Sequence, residues 1–290
     1  MILKKTKTKL FAVLTAFTMA VAVTLSLRET ISVNADIPGT TYCKYDYQTK
    51  KITEYTLSSI PEYDIISSRS AMSDDPRDDA PLENEMVKIS VTRNNGYSFM
   101  GTGFIIGEHE IMTAAHVILE DSPVFAPKIT IEPQVIKNNN ASFTAVSAHY
   151  PKIHVDGAKG HDYAIITVKE DLSSYGKALL GVPTDQAINN HMYIHCLGYG
   201  GDGVLKISNG YILKSSEGGT ELNPDLYIAA GTSGGPVYVE TDYGNADGTN
   251  RVTYKTVIGV VSGRNIDKEW VAPQIRPEIL KFAYNNPNLE

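Results

Sequence analysis

Cysteine is almost missing from this chain. Two residues, Cys43 and Cys196, stand among 290, which allows one disulfide at most and excludes a bridged framework as the source of stability. Blocks of five or more like charges are absent, and the net charge is −7. Polybasic contact with nucleic acid or an anionic membrane surface therefore has no support. No internal repeat or low-complexity tract occurs. Histidine also stops early: the seven present are His109, His116, His149, His154, His161, His191 and His195, with none beyond.

What remains is an ordinary globular composition, 42% hydrophobic and 20% charged, long enough for one large core or two small ones. The N-terminus differs. "MILKKTKTKL" carries four lysines and "LFAVLTAFTMAVAVTLSL" is apolar and free of charge. Arg28, Glu29 and then "SVNAD" follow, with small residues at Val33 and Ala35 suited to a cleavage site. Basic region, apolar region and small-residue cut are the order of a secretory signal. Residues 1–35 are therefore expected to direct export, with a retained membrane anchor as the alternative. From Asp36 to about Glu85 the chain is polar and irregular, and "SSRSAMSDDPRDDAPLENE" reads as exposed. Residues 36–70 read as a propeptide ending at a cut near Arg69 to Ala71, or as a plain N-terminal extension.

Beyond Met86, short β-rich runs recur: "MVKISVT", "GTGFIIG", "EIMTAAHVIL", "KITIEPQVI", "YAIITV", "MYIHCLGYG", "VLKISNGYIL", "DLYIAAG", "GPVYVE" and "TYKTVIGVVSG". Val, Ile, Tyr and Thr dominate them, and Gly, Asn, Asp or Pro bound most. Many strands between such turns imply a barrel or sandwich rather than alternating β/α units. One helix is expected, in "RPEILKFAYNN", with Pro277 in its first turn.

"AAGTSGGPVY" holds the pattern G-x-S-x-G in Gly231, Ser233 and Gly235. By itself this also describes the nucleophile elbow of an α/β-hydrolase, whose histidine follows the serine. No histidine follows Ser233, so that reading fails. The order His, Asp, Ser remains. "IMTAAHVIL" offers His116 after three small residues, which let backbone pack closely and leave the imidazole at a cleft edge. "GHDYAIITV" offers Asp162 ahead of an apolar run, although Asp156, Asp171 and His161 are nearby rivals. His116 would take the Ser233 proton, Asp162 would orient His116, and the Gly231 and Ser233 amides would receive the oxyanion. His191 and His195 are four apart, but "HMYIHCLGYG" is β-prone and lacks the Glu of H-E-x-x-H, so no metal is expected. Cys196, inside an apolar run, reads as a small core residue rather than a nucleophile.

Over about Met86 to Phe282, "GTGFIIG", "IMTAAHV", "HDYAIITV", "LGYGGD", "LYIAAGTSGGPVY" and "VIGVVSG" stand in the order found in chymotrypsin-like serine proteases. The chain most resembles the bacterial glutamyl endopeptidase and exfoliative-toxin family. The resemblance implies an all-β fold of two six-stranded Greek-key β-barrels with a C-terminal helix. The protease domain would be 71–290, its barrels about 86–175 and 176–274 and its helix about 275–286. It also implies an active site between the barrels and a propeptide upstream. Glutamate-specific members bind the substrate carboxylate with a Thr and a His; the matching positions here are Ile228 and Val261, both apolar. Arg264 is a possible cationic substitute, and Ser262 is the remaining candidate in the pocket. Acidic and apolar preference on the acyl side of the cut both stay open. Thr232 replaces the Asp that precedes the nucleophile in digestive relatives, so their activation switch is absent. The expected protein is a secreted, monomeric, cofactor-free serine endopeptidase acting on proteins or peptides. The alternative is a catalytically silent protease fold used for binding or adhesion.

Overall fold

The computed structural model describes residues 40–57, 65–66, 84–121, 124–126, 128–133, 142–154, 158–216, 219–243, 252–264, 269–284, 286 and 289. The expected signal segment and the proposed cut near Arg69 lie outside these residues. The fold is that of the unit formed by residues 35–61 and 66–290.

The first half builds a nine-stranded sheet from β1 (Thr41–Asp46), β2 (Lys51–Thr56), β3 (Met86–Thr92), β4 (Ser98–Ile105), β5 (Glu110–Thr113), β6 (Lys128–Pro133), β7 (Phe143–Thr144), β8 (Ser147–Pro151) and β9 (Ala164–Thr167). Their order is β7-β6-β3-β4-β5-β9-β8-β1-β2, antiparallel throughout. The sequence explains the pairing. In β3, Val87, Ile89 and Val91 are buried while Lys88, Ser90 and Thr92 are partly exposed, and β6 alternates likewise through Ile129 and Ile131. A period of two places one face on the core and the other toward water.

The second half builds an eight-stranded sheet from β10 (Leu179–Leu180), β11 (Tyr193–Tyr199), β12 (Leu205–Ser215), β13 (Glu221–Asp225), β14 (Pro236–Tyr243), β15 (Val252–Val260), β16 (Gly263–Arg264) and β17 (Trp270–Pro273). The order is β10-β15-β14-β11-β12-β13-β17-β16, and only β10 lies parallel to its neighbour. Ile194, Cys196, Ile212, Leu222, Val237, Val239 and Ile258 fill its core. Each such aliphatic side chain contributes about 1.5–3 kcal/mol of burial. The all-β fold with a C-terminal helix is thus what forms. The second sheet begins after Thr167, on the far side of a connection spanning 168–178.

Among the described residues three short α-helices punctuate the sheets: α1 (Ala115–Ile118), α2 (Asp185–Asn189) and α3 (Pro277–Tyr284). Pro277 suits the first turn of α3, and Glu278 there faces the positive end of the helix dipole. Eight residues are too few for a helix to persist alone. Burial of Ile279, Leu280, Phe282 and Ala283 holds it. No helix among the described residues is long and apolar enough to cross a membrane.

Residues 41–56, within the stretch read as a propeptide, are two strands of the first sheet. Tyr42 to Asp46 pair with Pro151 to Ser147 in unbroken register. The Tyr42 ring is 1% exposed and stacks on Phe282 of α3 at 4.3 Å. Cys43 is buried here and Cys196 in the second core, both as free thiols, so the disulfide left open by the sequence is not made.

Candidate active site

Strand β5 ends at Thr113, and one helical turn begins two residues later. Ala114 and Ala115 are fully buried, and Val117 and Ile118 point into the core. The one polar residue of that turn, His116, keeps 41% of its side chain exposed. The small residues of "TAAH" thus do what their size permits: they admit neighbouring backbone and leave the imidazole free on one side.

Asp162 stands just before β9, its side chain 14% exposed. Its Oδ1 accepts the His116 backbone N–H at 2.9 Å and its Oδ2 accepts His116 Nδ1–H at 2.7 Å. A carboxylate can only accept, so this contact assigns the ring proton to Nδ1 and leaves the Nε2 lone pair able to accept a proton. The Ser262 hydroxyl also donates to Oδ2. His154 Nε2 lies 3.8 Å from Oδ1. Burial pushes the Asp162 carboxyl up, but His116, His154 and Ser262 outweigh it and hold it well below the ordinary carboxylate range. Burial likewise opposes charge on His116, yet Asp162 prevails and raises its pKa above the usual value. On His154 burial wins, and its pKa is lowered. The loop carrying Asp162 is braced by Arg276, which donates to the Gly160 and Thr220 carbonyls at 3.2 and 3.0 Å. Gly160 N–H donates to Glu221 at 2.9 Å.

Ser233 lies in the tight loop before β14. Thr232 N–H returns to Ala229 O, Gly235 N–H to Thr232 O and Gly234 N–H to Val261 O, at 3.2, 2.8 and 2.7 Å. Gly231 and Gly234 have φ of +96° and +86°, a region that other residues enter only with strain. A Cβ on Gly234 would collide with Thr113 and with the backbone of Thr102 and Ala114. The loop carrying Ser233 therefore presses on the residues just ahead of His116. Thr102 of β4 reaches it too: its N–H donates to Ser233 O and its hydroxyl to Gly231 O, both at 2.8 Å. Among the described residues, the Gly231 and Ser233 amides donate to no acceptor.

The Ser233 hydroxyl itself donates to the Ser262 carbonyl at 3.3 Å. Ser262 consequently touches Ser233 with its backbone and Asp162 with its side chain. Sequence reasoning placed Ser262 only in the substrate pocket and passed over Thr102 and His154. Of the other pocket candidates, Ile228 and Val261 are buried in the second core. Arg264 closes β16, but its side chain lies outside the described residues. Tyr227 is 83% exposed. The rivals to Asp162 are elsewhere engaged: Asp171 caps Ser173 N–H at 2.8 Å, His161 Nδ1 meets Lys159 O at 2.7 Å, and Asp156 lies outside the described residues. His191 sits in a turn and His195 on β11, not on one helix.

Residues 101–245, half of the chain, match the trypsin-like peptidase domain family, and the protein belongs to that family. A comparison with curated protein sequences finds no match. Among solved structures it is similar to a Glu endopeptidase in complex with MPD, at 17% identity and a TM-score of 0.54 over 69% of this chain and 88% of that one. A thermostable serine protease, AL20, from an extremophilic microorganism gives 16% and 0.54 over 71% and 98%. The protease Anisep from Arthrobacter nicotinovorans gives 16% and 0.53 over 70% and 94%. At such identities the likeness shows the fold.

Proposed function

We propose that this protein is an exported, monomeric serine endopeptidase, similar to glutamyl endopeptidases, that works without a cofactor. His116 is its general base, Asp162 the orienting carboxylate and Ser233 the nucleophile. Gly231 and Ser233 supply the oxyanion hole, and residues 1–35 direct secretion. One observation carries the reading above the rest: Asp162 grips both the backbone and the ring of His116 while Ser262 ties the same carboxylate to Ser233.

In the reaction, the Ser233 hydroxyl leaves Ser262 O and gives its proton to His116 Nε2. His116 accepts the hydroxyl proton as the oxygen bonds to the scissile carbonyl carbon. The carbonyl oxygen takes the negative charge and is met by the Gly231 and Ser233 N–H groups, each such donor being worth about 3–4 kcal/mol. His116 then protonates the departing amine. Water, deprotonated by the same imidazole, releases the acyl group from Ser233.

Sequencing the cut sites made in a mixed peptide library tests this reading. Wild-type protein cuts, and Ser233→Ala, correctly folded, does not; equal cutting by both would remove Ser233 from the mechanism. The same experiment reads substrate preference. Cleavage after acidic residues that is lost in Arg264→Ala supports recognition through Arg264. Cleavage after apolar residues, indifferent to that change, supports a pocket bounded by Ile228 and Val261. A folded wild type that cuts nothing favours the binding-module alternative.

A further inference from the structure

We infer that Thr102 is a positioning residue for the oxyanion hole, a role that rests on the proposed serine-protease chemistry. Thr102 is fully buried, and all of its polar groups are spent at the junction between β4 and the nucleophile loop. Its N–H holds Ser233 O at 2.8 Å and its carbonyl accepts the Thr113 hydroxyl at 2.7 Å. Its hydroxyl donates to Gly231 O at 2.8 Å and accepts Tyr199 N–H at 2.9 Å.

The turn Ala229–Thr232 is closed by Thr232 N–H to Ala229 O, and Gly231 holds its third position with φ +96°. That is the type II form, whose central peptide joins Ala230 to Gly231 and carries the Gly231 N–H. Flipping this peptide gives a type I turn and reverses the direction of that N–H. Glycine tolerates either sign of φ, so Gly231 itself offers no resistance to the flip. The neighbours fix instead where the turn sits, and so where the Gly231 N–H is aimed. The Gly231–Thr232 peptide is gripped at both ends, its oxygen by the Thr102 hydroxyl and its N–H by Ala229 O. The same hydroxyl fixes the backbone of Tyr199, whose carbonyl would lie 2.7 Å from a Cβ on Gly231. One side chain of the first sheet thereby sets both the loop and the wall it packs on.

Labelling by a fluorophosphonate probe, whose phosphoryl oxygen occupies the hole, reads the role directly. Thr102→Val removes the hydroxyl and keeps the volume; Thr102→Ser keeps the hydroxyl. The expected result is labelling by Thr102→Val slowed about 10- to 100-fold, less than deletion of a hole donor, as befits a misaimed one. On the best-cleaved library peptide, kcat falls by a similar factor while KM stays within about twofold. The acid limb of the pH profile does not move, because His116 and Asp162 are untouched. Thr102→Ser stays near wild type on every measure. If Thr102→Val does not fold, Thr102→Ala against Thr102→Ser gives the same comparison. Wild-type labelling rates in the hydroxyl-free variant, or equal slowing of the Ser variant, overturn the role and leave the catalytic reading standing. A wild-type protein that takes no label overturns both.

Discussion

Acid should loosen the first sheet through one histidine. His149 on β8 is fully buried. Its Nδ1 meets the Tyr55 hydroxyl at 3.0 Å and its Nε2 the Ser147 hydroxyl at 3.0 Å. Burial, aided by Lys44, pushes its pKa down to about 3. In the unfolded chain it would titrate near 6.5. Between those values the unfolded state binds a proton that the folded state refuses, so stability falls as pH drops through 6.5. At 1.36 kcal/mol per unit the loss is about 3 kcal/mol by pH 4 and about 4 kcal/mol at pH 3. His154 and His161 are held below their usual values as well and act in the same direction. The informative comparison is therefore wild type against His149→Gln, by urea unfolding followed by circular dichroism at pH 7, 6, 5 and 4. At pH 7 the variant is weaker by roughly 1–3 kcal/mol for its lost buried hydrogen bonds. Its stability then declines less steeply, and the two curves converge toward pH 4. Parallel curves across this range would refute the reasoning.

Three further outcomes follow from the geometry. Asp162→Asn should lower kcat about 10⁴-fold, since an amide can stabilise the wrong tautomer of His116 and cannot balance its charge. In wild type, His116 must be unprotonated to act, so activity disappears as pH falls through its raised pKa. The midpoint of kcat/KM should stand above the usual value of about 6.5; a midpoint below it, or an Asn variant within tenfold of wild type, would contradict the site's electrostatics. Tyr42→Ala should cost about 3–5 kcal/mol, the range for emptying a large aromatic site, by parting β1 from α3. A thermal or urea shift worth under about 1 kcal/mol would show that residues 41–56 do not anchor the fold.

The site and the segment 41–56 differ in how much of each could be read from residues alone. His116, Asp162 and Ser233 lie in local signatures, where small residues or glycines are required by backbone close to the side chain. The β-rich runs from "MVKISVT" onward were legible because burial on one face imposes alternation, and α3 because Pro277 and its apolar residues mark one turn after another. Strand β2 was not. It is an edge strand with mostly exposed side chains, so "KITEYT" carries almost no apolar signal. Its partner β1 is recognisable only once Phe282, 240 positions away, is seen against Tyr42. "DLYIAAG" misled in the opposite sense: β13 ends at Asp225, and the apolar residues beyond it enter the turn ahead of Ser233. Thr102 has no signature, because a threonine in a β-rich run reads as a strand former. Its meaning comes from the loop that tertiary packing lays across it. Ser262 likewise gains its second role only through Asp162, 100 residues earlier.

Peptide mapping of the protein after exposure to a fluorophosphonate tests the central assignment most directly. A single phosphonyl adduct on Ser233, absent in Ser233→Ala and strongly slowed in His116→Ala, is the result required by a hydroxyl activated by that imidazole. Folded wild-type protein that carries no adduct, or carries it on another residue, would contradict it.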